Sequence, residues 1–81
     1  MKYARILNVG CGNDDFGTER IDIVKTPSTT KVYDITKGLP YESNSFDMVF
    51  CQYVWEHMQN PGELLKEMKR VCKDHGVIRV I

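Results

Sequence analysis

The hydrophobic positions fall into short clusters separated by polar, glycine- and proline-bearing stretches, and one segment breaks that rhythm. Ala4–Val9 is a run whose Ile6, Leu7 and Val9 suit a strand buried on both faces. Arg20–Val24 alternates Ile21 and Ile23 with Asp22, and Lys31–Ile35 is a third short run. Phe46–Cys51 is almost continuously apolar, the pattern of a central strand. Between these, 25–30 holds Pro27 in a Ser/Thr cluster and 36–45 holds Gly38, Pro40 and Asn44, so both read as loops. From Pro61 the period changes. Leu64, Leu65, Met68, Val71 and Cys72 recur at helical spacing, after Asn60 as N-cap, Pro61 at the first helical position and Glu63 as capping-box partner. Lys69, Arg70 and Lys73 favour the negative end of that helix and Gly76 is expected to stop it. Val77–Ile81 reads as a last strand.

Strands joined by loops and one helix predict an α/β domain with a mostly parallel sheet. The crossovers are short. Gly12 and Arg20 stand eight positions apart (20 − 12), while a return along a five-residue strand covers about 17 Å. Extended chain spans that easily and a helix barely does, so the first crossover is expected to be irregular. The second and third are read the same way. One helix cannot cover both faces of such a sheet, so a bare face and an apolar edge at the last strand are expected, and with them a homo-oligomer, most simply a dimer.

Composition narrows the field. At 81 residues there is room for one domain. Eleven basic residues balance eleven acidic ones, which gives no footprint for nucleic acid. No run is long enough to cross a membrane and the N-terminus lacks an apolar leader, so a cytoplasmic protein is expected. Cys11, Cys51 and Cys72 are an odd set without a CxxC pair. They read as small apolar residues of a reduced protein, with no metal site.

The chemistry concentrates at strand ends. The first strand breaks into Gly10-Cys11-Gly12, a tight turn where a ligand can meet bare backbone. Gly17 follows at the wrong distance for the dinucleotide Gly-x-Gly-x-x-Gly, which argues against an NAD-type dinucleotide domain. Asp22 closes the second run and Asp34 lies in the third, at its end. Either is a strand-end carboxylate able to accept hydrogen bonds, or a solvated or turn-forming acid.

Leu7-Asn-Val-Gly-Cys-Gly12, Asp22-Ile23, Tyr33-Asp34, Leu39-Pro40, Ser45-Phe-Asp47, Glu56-His57 and the segment from Leu65 through Arg70-Val71 to Gly76 stand in the order of a known family. From Ile6 to the last residue the chain resembles the class I S-adenosylmethionine-dependent methyltransferases, in their type 11-like branch. That resemblance implies a Rossmann-like sheet in the order 3-2-1-4-5 with one main helix. It also implies a short or truncated form, because relatives continue into two further strands. By the same resemblance the cofactor is S-adenosylmethionine: its methionine part against Gly10 and Gly12, its ribose on Asp22, its adenine at Asp34 and the backbone of Ile35. Asn8 and Gln52 complete the expected set. Many relatives carry an acid at position 8, and a neutral amide cannot offset the ligand's ammonium charge.

The stretch 52–58 resembles the family's cover over the pocket. Tyr53 and Trp55 either wall the ligand or pack as core aromatics. His57 is a candidate general base, set against the structural role such histidines commonly have. Asp74-His75 replaces the family's Pro-Gly, and the basic residues around it read as a solvated face. Methyl transfer needs an acceptor aligned with the methyl group more than it needs a catalytic dyad, and the acceptor is unassigned. The alternative is a non-catalytic S-adenosylmethionine-binding or interaction module acting within an oligomer or complex.

Overall fold

The computed structural model describes residues 4–52, 54 and 58–81. Their strands are β1 Ile6–Val9, β2 Glu19–Asp22, β3 Lys31–Val32, β4 Phe46–Cys51 and β5 Cys72–Val80, and the helix α1 is Pro61–Val71. A 3-10 turn occupies Ile35–Lys37. The sheet has five strands in the order β3-β2-β1-β4-β5, with every pairing parallel. This is the expected Rossmann-like topology, and β4 begins and ends where the apolar run does.

Alternation along the strands sorts the two faces. Leu7 pairs with Val49 and Val9 with Cys51 and Ile21. These side chains are fully buried and form one core with Leu64, Met68 and Val71 of α1. Each of those helix residues is worth at most roughly 1.5–3 kcal/mol by burial. On the opposite face Asn8 lies beside Phe50. There the irregular first crossover does the work of a helix: the Phe16 ring meets Phe50 edge-on at 4.9 Å, and Phe50 is only 7% exposed. The face is therefore barer at its margins than at its centre. Val32 and Val77 are each more than half exposed.

A polar clamp holds this cover down. Arg20 Nη1 donates to the carbonyl of Gly17 at 2.8 Å and to that of Asp15 at 3.4 Å, and Nε donates to Ser28 O. Ser28 Oγ returns a hydrogen bond to the Asp15 carboxylate. One guanidinium thus ties both short crossovers together with donors in a fixed fork.

Several boundaries differ from the sequence reading. β2 ends at Asp22 rather than Val24, because Asp22 Oδ1 accepts from the Val24 N–H at 3.2 Å and turns the chain, leaving Ile23 and Val24 exposed. β3 stops at Val32. Asp34 caps the 3-10 turn through Thr36, which draws Ile35 out of extended structure. At the start of α1, Asn60 takes the N-cap position without a side-chain hydrogen bond; its carbonyl accepts from the Glu63 N–H at 3.1 Å, and Glu63 instead lies 3.7 Å from Lys66.

The end of α1 is the larger correction. The helix stops at Val71, since the loop before β4 fills its last carbonyls: Asn44 N–H donates to Arg70 O at 2.9 Å and Ser45 N–H to Val71 O at 2.8 Å. Gly76 does not end the helix but lies inside β5, where the pairing with β4 is irregular. A Cβ there would come within 2.9 Å of Asp47 O, so glycine serves close packing. Lys73 leaves the helix and pairs with Asp47 at 3.2 Å. Nor is Arg70 part of a solvated face. It donates to Leu39 O at 2.8 Å and Tyr41 O at 2.9 Å while pairing with Glu67 at 2.7 Å. Glu67 in turn accepts from the Leu39 N–H at 2.8 Å. That pair and that amide hold the Glu67 carboxyl below its ordinary range. No described helix is long and apolar enough to cross a membrane.

Candidate functional site

The turn after β1 is built from backbone that only glycine adopts without strain. Gly10 has φ +70° and Gly12 φ +54°, a region that costs other residues roughly 1–2 kcal/mol. The two glycines meet different surroundings. A Cβ at Gly10 would come within 2.1 Å of Val54 Cγ2, so the absent side chain is a seat for Val54. Among the described residues a Cβ at Gly12 would meet nothing within 4 Å, so this backbone is open on their side.

Neighbouring strands hold the turn from the side. Ile21 O accepts from the N–H groups of Gly10 at 2.8 Å and Cys11 at 3.2 Å. Asp22 Oδ2 accepts from the Gly12 N–H at 2.7 Å. The second crossover grips the other end of the same residue, with Thr26 Oγ1 donating to Gly12 O. Asp22 therefore fastens Gly12 to β2. A carboxylate offers about four lone-pair sites; Val24 and Gly12 take one each.

A cavity of about 380 Å³ opens beside the turn, lined by Asn8, Gly10, Cys11, Asn13, Asp14 and Gln52. Three of the residues expected in a cofactor site thus converge, at the carboxyl ends of β1 and β4. Asn8 is 1% exposed, and its amide donates to Phe16 O at 3.2 Å, which joins the cavity to the loop covering the sheet. Burial pushes the Cys11 thiol up, so it stays protonated; Cys51 and Cys72 are raised for the same reason, and all three cysteines are free and buried.

Asp34 and Ile35 do not line this cavity. Asp34 Oδ1 accepts from both the Thr36 hydroxyl at 2.6 Å and the Thr36 N–H at 3.0 Å. The hydroxyl first, then the amide, lowers its carboxyl below the usual range. Ile35 faces a second, larger cavity of about 750 Å³ between the 3-10 turn and the start of α1, lined also by Lys37, Met58, Asn60 and Leu64. The larger cavity contains none of the glycine turn. Tyr53, Trp55, Glu56 and the candidate base His57 lie outside the described residues.

Sequence reasoning passed over Thr26, Thr29 and Arg20. Residues 26–30 signal a loop by composition, and nothing in that signal says which carbonyl a threonine will find.

Against known proteins, residues 13–80 match the model of the family described as "Methyltransferase domain". A "Probable methyltransferase" of Aspergillus luteorubrus is 42% identical over 48 residues, covering 56% of this chain and 17% of its own length. An uncharacterized protein of Methanocaldococcus jannaschii is 30% identical over 89 aligned positions, covering 94% of this chain and 39% of its own. The chain thus spans well under half the length of these curated relatives. Among solved structures, a Thermotoga maritima protein described as a "SAM-dependent methyltransferase, possible histamine N-methyltransferase" superposes with a TM-score of 0.75 at 19% identity. That match covers 96% of this chain and 44% of the other, and at such identity it shows the fold. Sheet order, glycine turn and family match agree: the chain belongs to the methyltransferase domain family, as a class I, Rossmann-like member.

Proposed function

We propose that this chain binds S-adenosylmethionine at the carboxyl ends of β1, β2 and β4 and serves methyl transfer to an acceptor nucleophile. The observation that carries the reading is Gly12, whose backbone is open on the ligand side and held behind by the Asp22 carboxylate. Two acceptor sites on Asp22 remain after Val24 and Gly12 are served, the number a ribose diol requires. Exposed Ile23 and Val24 stand beside it and offer apolar surface to an adenine ring. The cavity at Asn8, Gly10 and Gln52 falls in the size range of small-ligand sites, roughly 300–1,000 Å³, and suits the amino-acid end. When bound, the cofactor supplies an electrophilic methyl group on a sulfonium. The chain's own part is to orient it and to leave the methyl accessible, so rate comes from alignment.

Calorimetry with S-adenosylhomocysteine tests this. Wild-type protein should bind, and Asp22→Ala, checked for folding by circular dichroism, should bind more weakly by about 1–3 kcal/mol. A wild-type chain that binds neither cofactor nor product would refute the reading; equal affinity in folded Asp22→Ala would remove Asp22 from the site.

A second reading concerns assembly, and the sheet edges favour it. β3 is two residues long and carries Lys31, a blunted edge, whereas β5 runs nine residues with Val77 and Val80 exposed. We infer a two-fold dimer through β5 and the adjoining apolar margin, in which the cofactor-binding domain works as part of an oligomer.

A further inference from the structure

Resting on the cofactor reading above, we propose that Thr26 is a positioning residue of the binding site: with Thr29 behind it, it forms a hydroxyl latch that fixes the Gly12 peptide for the ligand. Two successive peptide groups meet at Gly12, and each is held by a different part of the chain. Asp22 holds the N–H and Thr26 Oγ1 holds the carbonyl. Held at both ends, Gly12 keeps its left-handed conformation and its open side. Glycine has the widest conformational freedom of any residue, so without such restraint much of the binding free energy would be spent on ordering it.

The latch is assembled from the second crossover alone. Thr26 and Thr29 hydroxyls lie 3.0 Å apart, the Thr26 N–H donates to Thr29 Oγ1 at 3.1 Å, and the Ser28 N–H donates to Thr26 Oγ1 at 3.2 Å. Proton counting gives the chain a direction. The single Thr26 proton goes to Gly12 O, so Thr26 can only accept within the threonine pair; the single Thr29 proton is divided between Thr26 Oγ1 at 3.0 Å and Val24 O at 3.2 Å. Cys11 Sγ stands 3.6 Å from Gly12 O and 3.8 Å from Thr29 Oγ1, so its one proton serves either the same carbonyl or the far end of the chain. Bonds in such a chain polarise one another and strengthen the terminal one, here the bond to Gly12.

Thr26→Val keeps the shape and removes the donor; Thr26→Ser restores the hydroxyl. With S-adenosylhomocysteine in calorimetry, Thr26→Val should bind about two- to tenfold more weakly, the loss expected for one hydrogen bond. Thr26→Ser should recover most of that loss, and the Gly12 amide should exchange faster only in the valine variant. Wild-type affinity in a folded Thr26→Val overturns the latch while leaving the cofactor reading intact. Thr29→Val, which removes the hydroxyl behind Thr26 without touching Gly12, covers the case in which Thr26→Val does not fold, and wild-type affinity there overturns the latch equally. If the wild-type chain binds no S-adenosylhomocysteine, the cofactor reading fails by itself. Gly12 amide exchange then decides the latch alone, and unchanged protection in Thr26→Val overturns it.

Discussion

Substituting alanine at Gly10 and at Gly12 should separate a packing glycine from a binding one. Both residues sit at positive φ, so both variants incur left-handed strain of about 1–2 kcal/mol, partly offset by a less flexible unfolded chain. For Gly12→Ala that is nearly everything, because its Cβ meets no atom of the described residues, and the net cost should be about 1 kcal/mol. Gly10→Ala adds the overlap with Val54 Cγ2 at 2.1 Å. Carbon contacts relax near 3.5–4.0 Å, so Val54 must retreat by about an ångström or more, and its β-branched side chain is stiff. Overpacking of that kind costs about 1–3 kcal/mol, for a total near 2–4 kcal/mol. An 81-residue domain has a margin of only about 4–12 kcal/mol, which Gly10→Ala would visibly erode. Urea unfolding of the two single variants, Val54→Ala and Gly10→Ala/Val54→Ala gives the cycle, and the overlap should reappear as about 1–3 kcal/mol of favourable coupling. Binding should rank the other way, with Gly12→Ala folded but poor at holding S-adenosylhomocysteine. Equal destabilisation at the two glycines, or no coupling to Val54, would show that Val54 is not seated on Gly10.

The Glu67–Arg70 pair should make stability acid-sensitive. The folded carboxyl titrates below its ordinary value of 4.5, so its contribution is complete above that pH and fades as pH falls further; urea midpoints from about pH 7 to pH 3 should show a steeper acid loss in wild type than in Glu67→Gln, and parallel curves would dismiss the pair. Sedimentation at micromolar concentration should find a dimer that Val77→Asp dissociates, whereas a well-folded wild-type monomer would end the β5 interface.

The parts of the fold legible in the sequence are those decided locally. The run Phe46–Cys51 fixes β4 because a strand covered on both faces tolerates few polar residues. The irregular first crossover follows from chain length alone, whatever its residues. What escaped were decisions made by distant partners. Nothing near Val71 announces a helix end, since the groups that satisfy its last turn are the Asn44 and Ser45 amides, brought there by the loop before β4. Arg70 looks like one more surface cation until its partners at Leu39 and Tyr41 are known. The candidate site divides along the same line. Gly10, Gly12 and Asp22 are visible as strand-end residues, while Thr26 enters only through a carbonyl fourteen positions away.

Short crossovers also change what the site residues must do. In place of packed helices, the face of the sheet opposite α1 has Phe16 on Phe50 and a guanidinium joining Gly17, Asp15 and Ser28. Polar contacts of this sort are directional, so they specify loop geometry closely but contribute modestly to stability, about 0.5–1.5 kcal/mol each. The residues around Gly12 are drawn into that scheme: Asp22 is at once a strand terminator, a tether for the glycine turn and the carboxylate that the proposed function gives to the ligand, and Asn8 both lines the cavity and holds Phe16. In a site so constructed, order in the loops and affinity for a ligand are the same quantity measured twice. A ligand bridging Asp22 and Gly12 would rigidify both crossovers, and weakening either crossover would lower affinity without a ligand contact being touched.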